Sequence, residues 1–465
     1  MSFIPLIVKT LALLFADVLL AWVNTSDLYL MVWRAIVGIT CTVPCALLGC
    51  YLVLRRMSML GDAISHGVLP GIVLAVLIGG QITGWPIIVG AMIFGLLTAV
   101  LSQTVQTLTN VPEDASMGVV FTGFFALGVI LISRLTFRVD LDTNCVLYGI
   151  FEAIPVYRIK LFGYEVPRPF PTMVVMFVLT IGFITLLWKE LKLVTFDSGL
   201  ATSMGFPVLL IHYLLMSMVA GVTVTAFEAV GSVLVLAMLV VPAACAYMLT
   251  DRLIRMFVLA ALVATTSCLL GVIFAGPSML NTNTAGLIAV MAGLHFALAV
   301  FLAPKHGVLA KVIRNARLGL RIVKEDILGV LFKIEEARAQ QDFTTLPLFQ
   351  ADLEKFSKGL PGWVARHLLL YRGMVQRANG NELILTPKGR EWAQLIVRSH
   401  RLWEKYLNEN FSLPLDHLHD PATRMEHFIG PELQEQIASE LQESDVDPHG
   451  KTIPPNFPTV DLDES

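Results

Sequence analysis

Charge is what the first two thirds of this chain lack. Of 465 residues, 15% are charged and 55% hydrophobic, and mean hydropathy is +0.71, whereas a soluble globular chain carries nearer a quarter charged residues. The shortfall is uneven: up to Leu302 there are 13 Lys+Arg and 13 Asp+Glu, against 20 and 23 from Ala303 onward. That excludes one uniform soluble domain and implies a membrane part, 1–302, followed by a soluble part. Cysteine is scarce too. All six (Cys41, Cys45, Cys50, Cys145, Cys245, Cys268) fall in the membrane part, and only Cys145 sits in a loop, so no disulfide framework is implied. The spacing of Cys41, Cys45 and Cys50 invites a metal reading, but small apolar side chains in a packed span fit them better. A phosphate-binding Gly-x4-Gly-Lys-Ser/Thr loop is also missing. Gly450-Lys451-Thr452 has Asp445 where the first glycine belongs, and no apolar strand precedes it. The chain is therefore not expected to hydrolyse ATP; that energy must come from another subunit.

A helix needs about 20 apolar residues to cross the hydrocarbon core of a bilayer. Ten stretches qualify: about 3–23, 30–53, 59–79, 85–107, 116–134, 169–188, 208–225, 228–248, 255–275 and 283–302. The first has the length of a signal peptide, but Lys9 and Asp17 break its apolar core and it reads as a retained span. Basic residues then orient the chain. Arg55, Arg56, Lys189, Lys192, Arg252, Arg255 and the group Lys305–Arg321 all fall on one side if ten spans start from a cytoplasmic N-terminus, as the positive-inside rule asks. The expected arrangement is a multi-pass bundle in the inner membrane, in contact with lipid, with its soluble part in the cytoplasm. The outer loop 135–168 is long enough for a re-entrant segment near Asp142–Ile154.

Ionisable groups within a span usually mark a pathway. In Arg55-Arg56-Met57-Ser58-Met59-Leu60-Gly61-Asp62-Ala63-Ile64-Ser65-His66-Gly67-Val68-Leu69-Pro70-Gly71, Asp62 and His66 are four apart and share one helical face. A carboxylate and an imidazole suit a divalent transition metal, and Gly67, Pro70 and Gly71 would kink or break the helix beside them. The same residues also fit a capped helix start with a satisfied histidine. Glu228 reads as an N-terminal carboxylate at the start of the span 228–248. Thr195–Val208 reads as a short helix between spans, capped by Asp197 or Ser198 and ended by Gly205.

These features resemble the permease subunits of metal-chelate ABC importers, the zinc/manganese/iron family. The Arg55–Gly71 motif, Val230–Ala244, the 195–208 loop and Thr284-Ala285-Gly286 carry the likeness over nearly all of 30–302. The resemblance implies an all-helical bundle that pairs with a second permease subunit on two ABC ATPase subunits. It implies a periplasmic metal-binding protein that delivers the ion, Fe2+, Mn2+ or Zn2+. By it, Asp62 and His66 line the metal path, and Asp197, Gly199, Ala201 and Gly205 fall in the helix that the ATPase grips.

The soluble part begins with a basic linker, 303–323. Helices are expected at Lys324–Arg338, Leu346–Ser357 and Gly362–Arg372. A hairpin follows from Val375-Gln376-Arg377 and Leu383-Ile384-Leu385 around an Asn-Gly turn, and a long helix from Pro387 to about Asn410. Three helices and a β-wing suit a winged helix-turn-helix, 324–390, whose reading helix offers Trp363, Arg366, His367 and Arg372 to operator DNA; use of such a domain for protein contact alone also fits. Six of the ten histidines fall between His367 and His449. His400 and Glu404 are one turn apart, and His419, Thr423, Glu426 and His427 form one stripe. Imidazoles and carboxylates from two helices can hold one or two divalent ions, or form a solvated charged face.

This part resembles the metal-dependent repressors of the diphtheria-toxin-repressor type, on Leu385-Thr386-Pro387-Lys388-Gly389-Arg390, Ser399-His400-Arg401-Leu402-Trp403-Glu404 and His419-Asp420-Pro421-Ala422-Thr423-Arg424-Met425-Glu426-His427. The resemblance implies a metal-binding and homodimerising region, 391–455, before a tail, 456–465, with the divalent ion as corepressor. By it, His400, Glu404 and His419 belong to an ancillary site, Glu426 and His427 to a primary site, and Asp326 supplies a ligand from the first helix. Thr423 departs from the pattern, standing where the family has cysteine or glutamate. Together the halves resemble a permease–repressor fusion whose repressor is freed by proteolysis. The alternative is a cytoplasmic sensor that inhibits its own transporter without touching DNA.

Overall fold

The structure, a computed structural model, describes residues 25–57, 59–79, 85–109, 111–135, 151–161, 163–276, 279–378, 382–411, 414, 417–441 and 446–455. The expected span 3–23, Cys145, most of the suggested re-entrant segment and the Asn-Gly turn lie outside these. The chain divides into two compact units, Met1–Ala310 and Lys311–Ser465.

The first unit is a helical bundle. In chain order it contains α1 (Thr25–Leu54), α2 (Leu60–Gly67), α3 (Leu69–Gly79), α4 (Trp85–Thr109) and α5 (Glu113–Leu135). A single 3-10 turn, Phe151–Ala153, and an antiparallel hairpin of β1 (Arg158–Leu161) and β2 (Tyr164–Pro167) follow. Then come α6 (Phe170–Leu186), α7 (Trp188–Phe196), α8 (Ser198–Ser203), α9 (Val208–Val230), α10 (Ser232–Leu249), α11 (Leu253–Ala275) and α12 (Thr284–Leu302). Among the described residues eight helical stretches are long and apolar enough to span a bilayer, or nine counting α6 and α7, which meet at 72°. Several hydroxyl groups within these helices return to their own backbone, as Thr98 Oγ1 does to the Phe94 carbonyl at 2.8 Å and Thr223 Oγ1 to that of Val219 at 2.6 Å, which removes the penalty of an unsatisfied hydroxyl in hydrocarbon.

The centre of the bundle is α1, packed on α10 and α11, with α12 against both of the latter. Five cysteines, Cys41, Cys45, Cys50, Cys245 and Cys268, are buried as free thiols, in keeping with their reading as small apolar packing. Glu228 does not begin a helix. It lies in the last turn of α9, because the apolar run through Val230 continues the helix until Gly231, at φ 78°, turns the chain into α10. Where α1 crosses α10, Gly49 brings backbone against backbone: a Cβ there would lie 1.7 Å from the Leu239 carbonyl oxygen. Small residues permit such close helix contacts.

The second unit builds on α13 (Val308–Ala339), then α14 (Leu346–Ser357), α15 (Gly359–Tyr371), the antiparallel pair β3 (Val375–Arg377) and β4 (Leu383–Leu385), α16 (Pro387–Phe411), α17 (His419–Met425) and α18 (Pro431–Glu440). The stretch read as a linker is helical from Val308, since no proline interrupts it, and its Leu320 and Val323 pack with the core of Ile327, Leu328 and Leu331. That core is completed by Ala365, Leu369, Val375, Leu385 and Ala393. Leu402, Ile429, Ile437 and Leu441 form a second. Gly362 lets α15 fold back tightly on α14, because a Cβ there would sit 2.4 Å from the Phe356 carbonyl.

Gly49→Ala should push α1 and α10 apart, at a cost of roughly 1–3 kcal/mol for overpacking. A lower unfolding temperature of the detergent-solubilised protein is expected; an unchanged one would refute the contact.

Candidate metal centre

In the membrane unit Asp62 and His66 stand on α2, one turn apart. His66 Nε2 lies 3.5 Å from Asp62 Oδ1, and both side chains are about two-fifths exposed, 41% and 42%. The imidazole stacks on Phe121, centroids 5.8 Å apart, and meets the edge of Phe125 at 5.4 Å. Helical periodicity brings the pair together. Pro70 has no N–H to offer the carbonyl four residues back, yet the expected break is slight: Val68 between α2 and α3 keeps helical dihedrals, its amide bonds the Ile64 carbonyl, and Leu60–Ile78 runs as one span.

Arg55, at the other end of the same motif, donates to Thr195 Oγ1 at 3.2 Å and to His212 Nδ1 at 3.3 Å. It thus ties the end of α1 to α7 and α9, directly before the short helix α8. There Asp197 caps as its position predicts, its Oδ1 accepting from the Leu200 amide at 2.8 Å. Gly205, at φ 83°, ends the motif. Ala201 is buried and holds the helix to the bundle, while Leu200 and Met204 are exposed. Gly199 has only its own cap for a neighbour.

The second unit gathers ionisable groups into a nearly dry cluster. Asp326 on α13 and Glu426 and His427 after α17 place one donor atom each within 4.8 Å of one another. His427 Nε2 faces Asp326 Oδ1 at 3.3 Å and Glu426 Oε1 at 3.7 Å. Its other nitrogen, Nδ1, is held at 2.8 Å by Glu325 Oε2, whose second oxygen accepts from Arg321 Nε at 2.8 Å. A carboxylate on the far nitrogen fixes the ring and its tautomer, so Glu325 positions His427. Sequence reading passed over Glu325; its signal was the charged pair Glu325-Asp326 at the start of an apolar helix face. His400 joins this cluster to the next one. Its Nδ1 lies 2.6 Å from Glu426 Oε2 and its Nε2 3.1 Å from Glu404 Oε1. The expected primary and ancillary sets therefore share a contact. Thr423 lies on α17 one turn before Glu426. His419 starts the same helix, and its side chain lies outside the described residues.

Two oxygens and one imidazole nitrogen fit manganese or iron, and also zinc. The buried side chains meet the charge-pairing that such a site needs. Burial pulls the His427 imidazolium towards deprotonation, but hydrogen bonds to Asp326 and Glu325, with the Glu426 charge, outweigh it and push the pKa up to about 9. For His400, burial likewise lowers the pKa, and its bonds to Glu404 and Glu426 raise it further.

On α15, Trp363 and His367 are exposed and their rings lie 4.2 Å apart, with His367 Nδ1 donating to the Trp363 carbonyl at 2.8 Å. Arg366 and Arg372 are half-buried. Tyr371, one turn beyond His367, is 90% exposed and was not singled out from the sequence.

A bundle of helices long and apolar enough to span a membrane, carrying a carboxylate–imidazole pair and followed by a unit with a buried mixed-donor cluster, defines a polytopic transport protein with a metal-binding appendage. The chain belongs to the ABC 3 transport family, whose family model matches residues 27–303. Residues 386–455 match the iron dependent repressor, metal binding and dimerisation domain. The manganese transport system membrane protein MntD of Bacillus subtilis (strain 168) is 43% identical over 61% of this chain and 95% of its own length. The zinc transport system membrane protein TroD of Treponema pallidum (strain Nichols) is 37% identical over 77% of this chain and 96% of its own. The solved structure of PsaBC from Streptococcus pneumoniae, in complex with Fab, matches 60% of this chain and 94% of its own at a TM-score of 0.51 and 30% identity.

Since metal binds neutral imidazole, loading the site must displace the His427 proton. Apparent metal affinity should thus rise between pH 6.5 and about 9, the ordinary and shifted values. In the metal-free protein the same shift favours the fold fully below pH 6.5, and this contribution fades towards pH 9. Thermal melts in chelator and Mn2+ titrations across that window check both; pH-independent profiles would contradict them.

Proposed function

We propose that this chain is the permease subunit of an ABC importer for manganese, iron or zinc, and that its C-terminal unit is a metal-dependent transcriptional repressor. The observation that carries the reading is the convergence of Asp326 from α13 with Glu426 and His427 from the turn after α17 in a chain whose other unit belongs to a transport family.

In the membrane, Asp62 and His66 offer an oxygen and a nitrogen to the passing ion, the substrate, as α2 and its neighbours alternate access. Asp197, Gly199, Ala201 and Gly205 shape the helix on which a separate ATPase subunit acts, and Arg55 links that region to the spans. A second permease subunit and a periplasmic metal-binding protein complete the assembly in the inner membrane. The C-terminal unit lies in the cytoplasm, where the imported ion arrives.

There α13 contributes Asp326, the α17 region contributes Glu426 and His427, and Glu325 and His400 orient the ligands. The bound divalent ion neutralises the carboxylates, and these residues then hold α13 to the metal-binding region. Elements α14, α15 and the β3–β4 hairpin form a winged helix-turn-helix. In the homodimer, fixing α13 sets the spacing of the two α15 helices for successive major grooves, with Trp363, Arg366, His367 and Arg372 towards DNA. Thr423, a weak ligand, leaves water to complete the primary site. Proteolysis between the two units frees the repressor to reach its operator.

Asp62→Ala and His66→Ala should each abolish most energy-dependent uptake of Mn2+, Fe2+ or Zn2+ in cells while leaving the protein in the membrane; near-wild-type uptake would remove the pair from the path. Fragment 320–465 should capture DNA of its own promoter only when metal-loaded. Metal-independent capture, or none at all, with no free C-terminal fragment in cells, favours instead a tethered sensor that inhibits transport.

A further inference from the structure

Beyond the helices of the second unit, residues 446–455 form a strap that the fold holds with unusual care. Val446 and Thr452 pair as an antiparallel bridge. The buried Asp447 carboxylate accepts from the amides of His449 at 2.9 Å and Lys451 at 2.7 Å, closing a tight turn with Gly450 at φ 77°. Arg401, itself 3% exposed, donates to the Thr452 carbonyl and to Glu336 and lies 3.6 Å from Asp447. Arg398 donates to the Pro454 carbonyl at 2.6 Å. Ile453 packs on the Leu402–Ile437 core, and the Lys451 ammonium stands 5.5 Å over the Phe349 ring. A buried guanidinium is costly unless it is fully paired, and Arg401 divides its pairing between Glu336 on α13 and the strap.

This turn presents one imidazole to the buried cluster. His449 Nε2 lies 3.9 Å from Glu404 Oε1, the oxygen that also stands 3.1 Å from His400 Nε2. Glu404 is 3% exposed at its side chain, and His449 40%. His400 is held on both sides, its Nδ1 2.6 Å from Glu426 Oε2 and its Nε2 against Glu404. An oxygen between two imidazole nitrogens, one rigid and one able to adjust, is a donor set for a divalent first-row cation.

We propose that His449 is a ligand of the second metal site, with His400 and Glu404, so that the chain's C-terminal strap is fastened by metal. The inference rests on the reading of the C-terminal unit as a divalent-metal sensor. It assigns the strap a role as a clasp: the ion at this site is bonded both to α16 and to the strap, and the His400–Glu426 contact communicates its presence to the Asp326, Glu426 and His427 site.

The test uses the full chain in detergent, with Asp62→Ala and His66→Ala in place to silence the transport path, titrated with Mn2+ and followed by electron paramagnetic resonance. Two classes of bound Mn2+ are expected. His449→Ala should weaken one class at least tenfold, the lower limit for losing even an outer partner of a metal. His449→Glu should restore it, and Asp326→Ala should weaken chiefly the other, with only the smaller, reciprocal effect of coupling on this one. Mn2+ should also slow tryptic cleavage after Lys451, and His449→Ala should abolish that protection. If His449→Ala titrates and resists trypsin like its parent, the clasp is wrong while the sensor stands. If the parent binds no Mn2+ at all, the sensor reading fails and the clasp with it.

Discussion

Both units are organised by the same constraint: an ionisable side chain taken out of water must meet its complement. In the bundle this leaves very few such groups inside. Arg55 is placed where Thr195 and His212 can accept from it, while Asp62 and His66 pair at a site still about two-fifths exposed. In the second unit the constraint is met by concentration. Glu325, Asp326, His400, Glu404, Glu426 and His427 sit in one place, and each ring nitrogen of the two histidines faces a carboxylate. The carboxylates outnumber the imidazoles in this cluster, and the raised pKa of His427 is the response.

The proton is a poor substitute. It satisfies one bond at a time, whereas a divalent ion draws several donors together. The transport unit has the complementary requirement. Its carboxylate–imidazole pair is about two-fifths exposed.

The Arg401 network extends the argument to the end of the chain. Helical periodicity could not reveal it, because its members (Glu336, Arg401, Asp447 and Thr452) come from three separate segments. The same holds for Glu325, which is an ordinary helical acid in sequence and becomes a partner of His427 only because α13 passes alongside the residues after α17.

What the sequence determined by itself was local and periodic. The charge gradient set the two parts, apolar runs set nearly all the spans, Asp62 and His66 were one turn apart on any helix, and Asp197 and Gly205 bracketed α8. The hairpin and the helices from Leu346 to Asn410 followed from spacing in the same way. Tertiary structure alone decided the rest: that α9 carries Glu228 at its end, that helix replaces the basic linker from Val308, that His400 joins two donor sets, and that His449 returns from the chain's far end to Glu404. The reason is physical. Propensity and pattern act over a few residues, whereas the pairing of buried charge is settled only when distant segments exclude water together.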